Sequence, residues 1–114
     1  MRIIKSLSKS IFLIALTMET AAAYDWNMSA KVTLVEPTYM PSSITFVVDN
    51  GAGSCPAGTW LRWNGKGATD QTKYDNSKSV LSILTTALVS GKQVNLYGNN
   101  VGCTVDFIHL TNNG

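Results

Sequence analysis

Two cysteines, Cys55 and Cys103, constrain what this chain can fold into more than any other feature of its sequence. They are the only cysteines present, so one intramolecular disulfide is available to the chain. In the chain-entropy account, closing a loop of about 48 residues stabilises a fold by roughly 4 kcal/mol. A small domain has roughly 5–15 kcal/mol in total, so the crosslink would supply a large share of it. Two free thiols, or a bridge between molecules, are the alternatives.

The N-terminal segment predicts an oxidising compartment in which that disulfide can persist. Residues 1–23 combine a basic leading region, the apolar run IFLIALTM and small residues before Ala23, which is typical of an export signal. Cleavage is expected between Ala23 and Tyr24, and a retained N-terminal helix is the alternative. The apolar run is shorter than the about 20 residues of a membrane-spanning helix, so stable membrane insertion is not expected. The sequence therefore predicts a periplasmic or secreted protein.

Residues 24–114 are short enough to form one domain. The whole chain has 9 basic and 7 acidic residues; the predicted signal holds three of the basic and one of the acidic residues, which leaves six of each. A domain without net charge has no electrostatic footprint for nucleic acid, so a nucleic-acid partner is not expected.

Hydrophobic patterning predicts a mainly β domain with one helix. Strands are expected over residues 30–36, 43–49, 59–63, 92–98 and 103–110, and a helix over residues 76–90. Asp75 or Asn76 could cap the start of the helix, and Gly91 fits its C-terminal cap. The order β-β-β-α-β-β is that of a five-stranded Greek-key barrel of the OB type. An open antiparallel sheet with one packed helix is the alternative.

The predicted helix is apolar over more than one face. Its main stripe (Val80, Leu81, Leu84, Ala87 and Leu88) is sufficient to cover the end of a small barrel. Ile83, Thr86 and Val89 lie partly off that stripe. In a small domain a second apolar side is typically buried against another subunit, so oligomerisation is expected.

The segment GSCPAGTWLRWNG places two tryptophans around an arginine, just after the first cysteine. Because neighbours along a strand alternate faces, Trp63 shares the core side with Leu61, and Trp60 shares the outer side with Arg62. An exposed indole can stack on the apolar face of a sugar while a guanidinium donates to hydroxyl or carboxylate oxygens. Trp60 and Arg62 are therefore the predicted ligand-binding residues. Packing of Trp60 against a neighbouring loop is the alternative.

Other aromatic and titratable residues are weaker candidates. Tyr39, Met40 and Tyr97 could extend an aromatic surface but are as well explained by ordinary packing. The single histidine, His109, is expected on the Val105/Phe107 side of the last strand, opposite Asp106, so no catalytic triad is predicted.

Metal ligands are also sparse. One histidine and an oxidised cysteine pair cannot build a zinc site, and the oxygen donors Asp70, Asp75 and Asn76 lack the spacing of a calcium loop. No metal site, no cofactor and no enzymatic activity are predicted.

The C-terminal half is similar to a known family. The segments SVLSILTTALVSGKQVNLYG and GCTVDFIHL resemble the end of the OB-fold binding subunits of bacterial AB5 toxins, particularly the subtilase-cytotoxin and pertussis-like group. In that group a helix and a short SGK-like turn lead into a strand, and a cysteine opens the closing strand. The segment CPAGTWLRW is similar to exported proteins of uncharacterised function. The likeness covers roughly residues 54–110.

The resemblance implies a secreted OB barrel, a ring of five subunits with a toxin A subunit as partner, and recognition of host glycans. The family's sugar-contacting residues do not match this chain position by position, so none is carried over. The leading hypothesis is a secreted, non-enzymatic binding module for a carbohydrate or cell-surface receptor. A periplasmic or secreted inhibitor or accessory protein with one protein partner is the alternative.

Overall fold

The computed structural model describes residues 24–113, so the predicted signal peptide lies outside the described residues. The strands are β1 (Trp26–Glu36), β2 (Ser43–Val48), β3 (Leu61–Asn64), β4 (Gln93–Gly98) and β5 (Val105–Leu110). The helix α1 (Asp70–Ser90) lies between β3 and β4. A single 3-10 turn, Val101–Cys103, precedes β5. The prediction of a mainly β domain with one helix between the third and fourth strands is confirmed.

The five strands form one open antiparallel sheet in the order β3-β2-β1-β4-β5. Its two edge strands are therefore β3 and β5. At one point the edges meet, where Arg62 and Thr104 form an isolated parallel bridge. This arrangement agrees with the alternative prediction of an open antiparallel sheet with one packed helix.

Strand β1 is longer than the alternation of apolar residues predicted. It begins at Trp26 rather than Ala30, and its first half alternates buried and exposed positions without a break. The prediction missed residues 26–29 because Asn27 and Ser29 are polar, and asparagine is depleted in strands. Their places are set by pairing with β4, where Asn27 lies opposite Tyr97 and Ser29 opposite Asn95.

The helix α1 packs its buried stripe across the inner face of the sheet. Val80, Leu84 and Ala87 are buried as predicted, whereas Leu88 remains 40% exposed. Burial of such side chains contributes roughly 1.5–3 kcal/mol each. The core they complete consists of Trp26, Met28, Ala30, Val32, Ile44, Phe46, Val48, Cys55, Leu61, Trp63, Val80, Leu84, Ala87, Val94, Leu96 and Val105.

The helix begins six residues earlier than the predicted residue 76. Thr69 caps the helix. Its hydroxyl accepts from the Thr72 backbone amide, and the Thr72 hydroxyl accepts from the Thr69 backbone amide. The first two turns are polar and exposed, so apolar periodicity could not show them. Gly91 ends the helix in a left-handed conformation with φ of 72°, as predicted.

Strand β5 contains an irregularity that reverses the predicted faces of its second half. Gly98 pairs with Val105, but Tyr97 pairs with Phe107, so the register shifts by one residue at this point. Val105 is buried, whereas Phe107 is 48% exposed. Strand alternation predicts Phe107 on the same side as Val105, but Ile108 packs against the core in its place. The physical reason is a β-bulge, which inserts one extra residue and so exchanges the two faces beyond it.

The predicted disulfide between Cys55 and Cys103 is present, with the Cα atoms 5.8 Å apart. It ties the loop between β2 and β3 to the turn before β5. Asn100 reinforces this contact, because its side-chain oxygen accepts from the Ser54 amide at 2.9 Å and its own amide donates to Asp25 at 3.0 Å. Three chain segments are therefore held together at this end of the sheet.

Across residues 24–113, none of the helical structure has the length and apolar character that a membrane crossing requires.

Candidate functional site

The structure places the predicted ligand-binding residues on the outer surface of the sheet. Trp60 immediately precedes β3 and is 51% exposed, and Arg62 is exposed on that strand. Leu61 and Trp63, which alternate with them along the chain, are buried as predicted. Arg62 makes no salt bridge and no side-chain hydrogen bond with any residue among 24–113. Its guanidinium donors are therefore available to a ligand.

The neighbours of this pair are partly apolar. Thr45 on β2 is the pairing partner of both Arg62 and Glu36, and donates to the Glu36 carboxylate at 2.9 Å. Val47 lies two residues after Thr45 and so on the same side of β2. Its partner on β1 is the 42% exposed Leu34. We call this surface the Trp60 face; it consists of Trp60, Arg62, Thr45, Glu36, Val47 and Leu34.

A second outward surface lies on β4 and β5, and we call it the aromatic face; it consists of Tyr24, Asn95, Tyr97, Phe107 and His109. Tyr97 is its centre, with edge-to-face ring contacts to Tyr24 at 4.9 Å, Phe107 at 6.0 Å and His109 at 5.3 Å between centroids. The Tyr24 and Phe107 rings also meet, at 6.4 Å. Four rings that brace each other form a surface of fixed shape.

Polar groups adjoin these rings. The Asn95 side-chain amide donates to the Tyr97 hydroxyl at 3.1 Å, and its oxygen accepts from the Ser29 hydroxyl at 3.5 Å. Because the Tyr97 oxygen accepts from Asn95, its own proton is free to be donated to another group. The face therefore presents apolar ring surface beside oriented hydrogen-bonding groups.

The aromatic face was largely missed at the level of sequence. The sequence offers Tyr97 only as a lesser surface candidate, and strand alternation predicts Phe107 on the same side of β5 as Val105. The bulge before Phe107 leaves no clear signature in the sequence, because strand alternation alone places this residue beside Val105. Tyr24 lies outside the predicted strands, at the expected cleavage site, so the sequence gives no reason to place it beside β4. The other two residues named as lesser surface candidates differ in their exposure. Tyr39 is 60% exposed, whereas Met40 packs against the core.

The titratable residues near β5 are engaged in structural contacts. Asp106 accepts from the Asn99 side chain at 2.8 Å and lies 3.8 Å from the Lys66 ammonium. Lys66 also lies over the Trp63 ring, 4.8 Å from its centroid. His109 pairs with Asn95 on the outer side of the sheet and contacts Tyr97. Asp106 thus joins the two edges of the sheet.

The oxygen donors that were weighed as calcium ligands are not brought together as a metal site among the described residues. Asp70 lies in the first turn of α1. Asp75 accepts from Gln71 at 3.0 Å, and the Asn76 oxygen accepts from the indole of Trp63 at 2.9 Å and from the Lys66 amide at 3.0 Å. Asn76 therefore links the helix to the end of β3.

No family model, curated protein or solved structure matches this chain.

Proposed function

We propose that this chain is an exported, non-enzymatic binding module that recognises carbohydrate on a cell-surface receptor. The observation that carries the proposal is the aromatic face, in which the rings of Tyr24, Phe107 and His109 all contact the Tyr97 ring on the outside of the sheet. Such a surface is too exposed to be explained by core packing, since Phe107 keeps 48% of its surface open. Exposed clusters of this kind mark interaction sites.

Sugar recognition suits both the apolar and the polar parts of this face. The C–H groups on one side of a pyranose ring pack on aromatic rings, and the Phe107 ring, which is 48% exposed, is available to them. The hydroxyl groups at the sugar's edge need both hydrogen-bond donors and hydrogen-bond acceptors as partners. Asn95 and the Tyr97 hydroxyl, which are bonded to each other at 3.1 Å, supply them.

The Trp60 face is proposed as a second contact region. Trp60 would act as a stacking plate and Arg62 as a donor to hydroxyl or carboxylate oxygens. Its support is the 51% exposure of Trp60, together with the absence of a salt bridge between Arg62 and any residue the structure describes. The two faces share no residue, so variants at one can be compared with variants at the other.

We further propose that the sheet closes as a five-stranded OB-type Greek-key barrel. Its support is that the edge strands meet at the Arg62–Thr104 parallel bridge and that Lys66 and Asp106 pair across the same edges at 3.8 Å. The strand order and the place of the helix are those of such a barrel. On the resemblance to AB5 binding subunits, assembly into a homopentamer with a toxin A subunit is the corresponding proposal for partners.

A glycan-array screen tests the proposed function. It compares the wild-type protein with Tyr97→Ala and Trp60→Ala. The wild type should bind a defined set of glycans, and Tyr97→Ala should abolish that signal, because it removes the ring on which the other three rest. A loss with Trp60→Ala as well would include the Trp60 face in the site. Absence of any wild-type signal would refute carbohydrate binding, and a wild-type signal that is unchanged in both variants would refute the two faces as its site.

A protein-interaction or inhibitor role is the second candidate, and an exposed side of the helix favours it. Val89 is 82% exposed and Leu88 40% exposed at the end of α1. Apolar side chains left open at such a position are typical of a protein interface. An affinity pull-down that returns a stoichiometric protein partner from a chain with no glycan binding would support this role.

A further inference from the structure

A separate cleft opens where the start of the helix meets the end of β3. Its volume is about 550 Å³, and its lining consists of Pro41, Ser42, Asn64, Gly65, Asp70 and Lys73. This size is within the range of small-molecule sites. None of these residues belongs to the aromatic face or to the Trp60 face, so the cleft is an independent feature of the molecule.

The backbone of the cleft is held in place by buried contacts. Ser77, which is completely buried in α1, donates to the Pro41 carbonyl at 3.1 Å, and the Gly65 amide donates to the Ser42 carbonyl at 3.3 Å. Gly65 also lies so close to the helix that a Cβ atom there would be 2.7 Å from the Ser77 hydroxyl and 2.8 Å from the Lys73 carbonyl. The three walls of the cleft are therefore joined.

The side chains that line it are not joined in this way. Ser42, Asn64, Asp70 and Lys73 make no side-chain hydrogen bond with any residue in the described range, and no salt bridge forms between Asp70 and Lys73 although they are one helical turn apart. A hydroxyl, an amide, a carboxylate and an ammonium group therefore line one cleft with their hydrogen-bonding capacity free.

This combination indicates the class of ligand. The charges of one carboxylate and one ammonium group cancel, and this disfavours the binding of nucleotides and other strongly charged molecules. A carboxylate accepts bonds from two neighbouring hydroxyl groups, and an ammonium or amide group donates to others. We propose that this cleft is a second carbohydrate subsite, which holds the hydroxyl-rich edge of a single uncharged sugar residue. The inference extends the proposed function to a second site, and it is tested at residues that the first site does not use.

Backbone amide NMR shifts of the folded protein, titrated with methyl glycosides of galactose, glucose and mannose, test this site. At least one glycoside should shift the amides of Gly65, Asp70 and Lys73 in a saturable manner. Asp70→Asn and Lys73→Met should each weaken that binding about tenfold or more, since each removes hydrogen bonds to a charged group. Asp75→Asn and Lys78→Met, at exposed positions of the same helix outside the cleft, are the matched controls and should leave the cleft's affinity unchanged.

Three results would overturn the proposal: no saturable shift at these amides with any of the glycosides, binding that both variants retain in full, or a response to the zwitterion glycine instead of the sugars. A failure of the proposed function alone looks different, because shifts would then appear at the cleft while those at Tyr97 and Phe107 are missing.

Discussion

The indole nitrogen of Trp63 donates to the side-chain oxygen of Asn76 at 2.9 Å and so links β3 to the helix α1. The same oxygen accepts from the Lys66 amide at 3.0 Å. One side chain thus satisfies both a buried donor in the core and a backbone donor in the following loop. This contact fixes the position of the strand that carries Arg62.

Asn76→Ala should therefore lower the free energy of unfolding by about 1–3 kcal/mol, because it leaves the buried Trp63 donor unpaired. Urea denaturation followed by tryptophan fluorescence measures the change. Asp75→Ala, one position earlier on an exposed turn, is the control and should change the free energy by less than about 0.5 kcal/mol. Equal effects of the two substitutions would show that the Trp63–Asn76 bond is not what stabilises this region.

Reduction of the Cys55–Cys103 disulfide should lower stability by roughly 2–5 kcal/mol, since it releases a crosslink between residues 48 positions apart. Thermal unfolding with and without dithiothreitol measures the shift, and Cys55→Ala/Cys103→Ala gives the same comparison without a reductant. A melting temperature that reduction does not change would contradict the stabilising role of this crosslink.

Gly98→Ala should destabilise the fold by about 1–3 kcal/mol through steric overlap. A Cβ atom at this position would lie 2.4 Å from the Trp26 ring, which is buried in the core. Gly58→Ala is the comparison, because its Cβ would meet nothing within 4 Å and only its φ of 85° is unfavourable. Chemical denaturation of both variants should place Gly98→Ala at the lower midpoint with a displaced Trp26 signal. An unchanged Trp26 environment would contradict the close packing.

The solution mass of the protein tests the proposed assembly. Sedimentation equilibrium should return five copies of the chain, and Val89→Asp should reduce this mass toward one copy without loss of folding, because Val89 is 82% exposed in the single chain. Lys92→Asp, on the turn after the helix, serves as a charge-changing control. A monomeric wild type would refute the ring assembly.

Sequence reasoning worked where burial and backbone geometry leave a regular signal. The alternation around Leu61 and Trp63, the helical spacing of Val80 and Leu84, and the left-handed position of Gly91 were all predicted, and the structure confirms them. Each of these features depends on a local rule: strand parity, helix periodicity or capping.

Sequence reasoning failed where a segment has no apolar period, and where the decisive contact lies far away in the chain. The polar first turns of α1 are held by the Thr69–Thr72 cap, which carries no apolar period. The exposure of Phe107 depends on a register shift against β4, and Tyr24 joins the aromatic face only because Tyr97 lies next to it in the sheet. These long-range pairings determined the composition of the candidate site.

Isothermal titration with the strongest glycan from the array tests the carbohydrate site most directly. Phe107→Ala removes a 48% exposed ring of the aromatic face, and Leu110→Ala removes a 41% exposed side chain from the same strand outside that face. The account predicts about a tenfold or greater loss of affinity for Phe107→Ala and less than about a twofold change for Leu110→Ala. Equal affinities for the wild type and Phe107→Ala would contradict it.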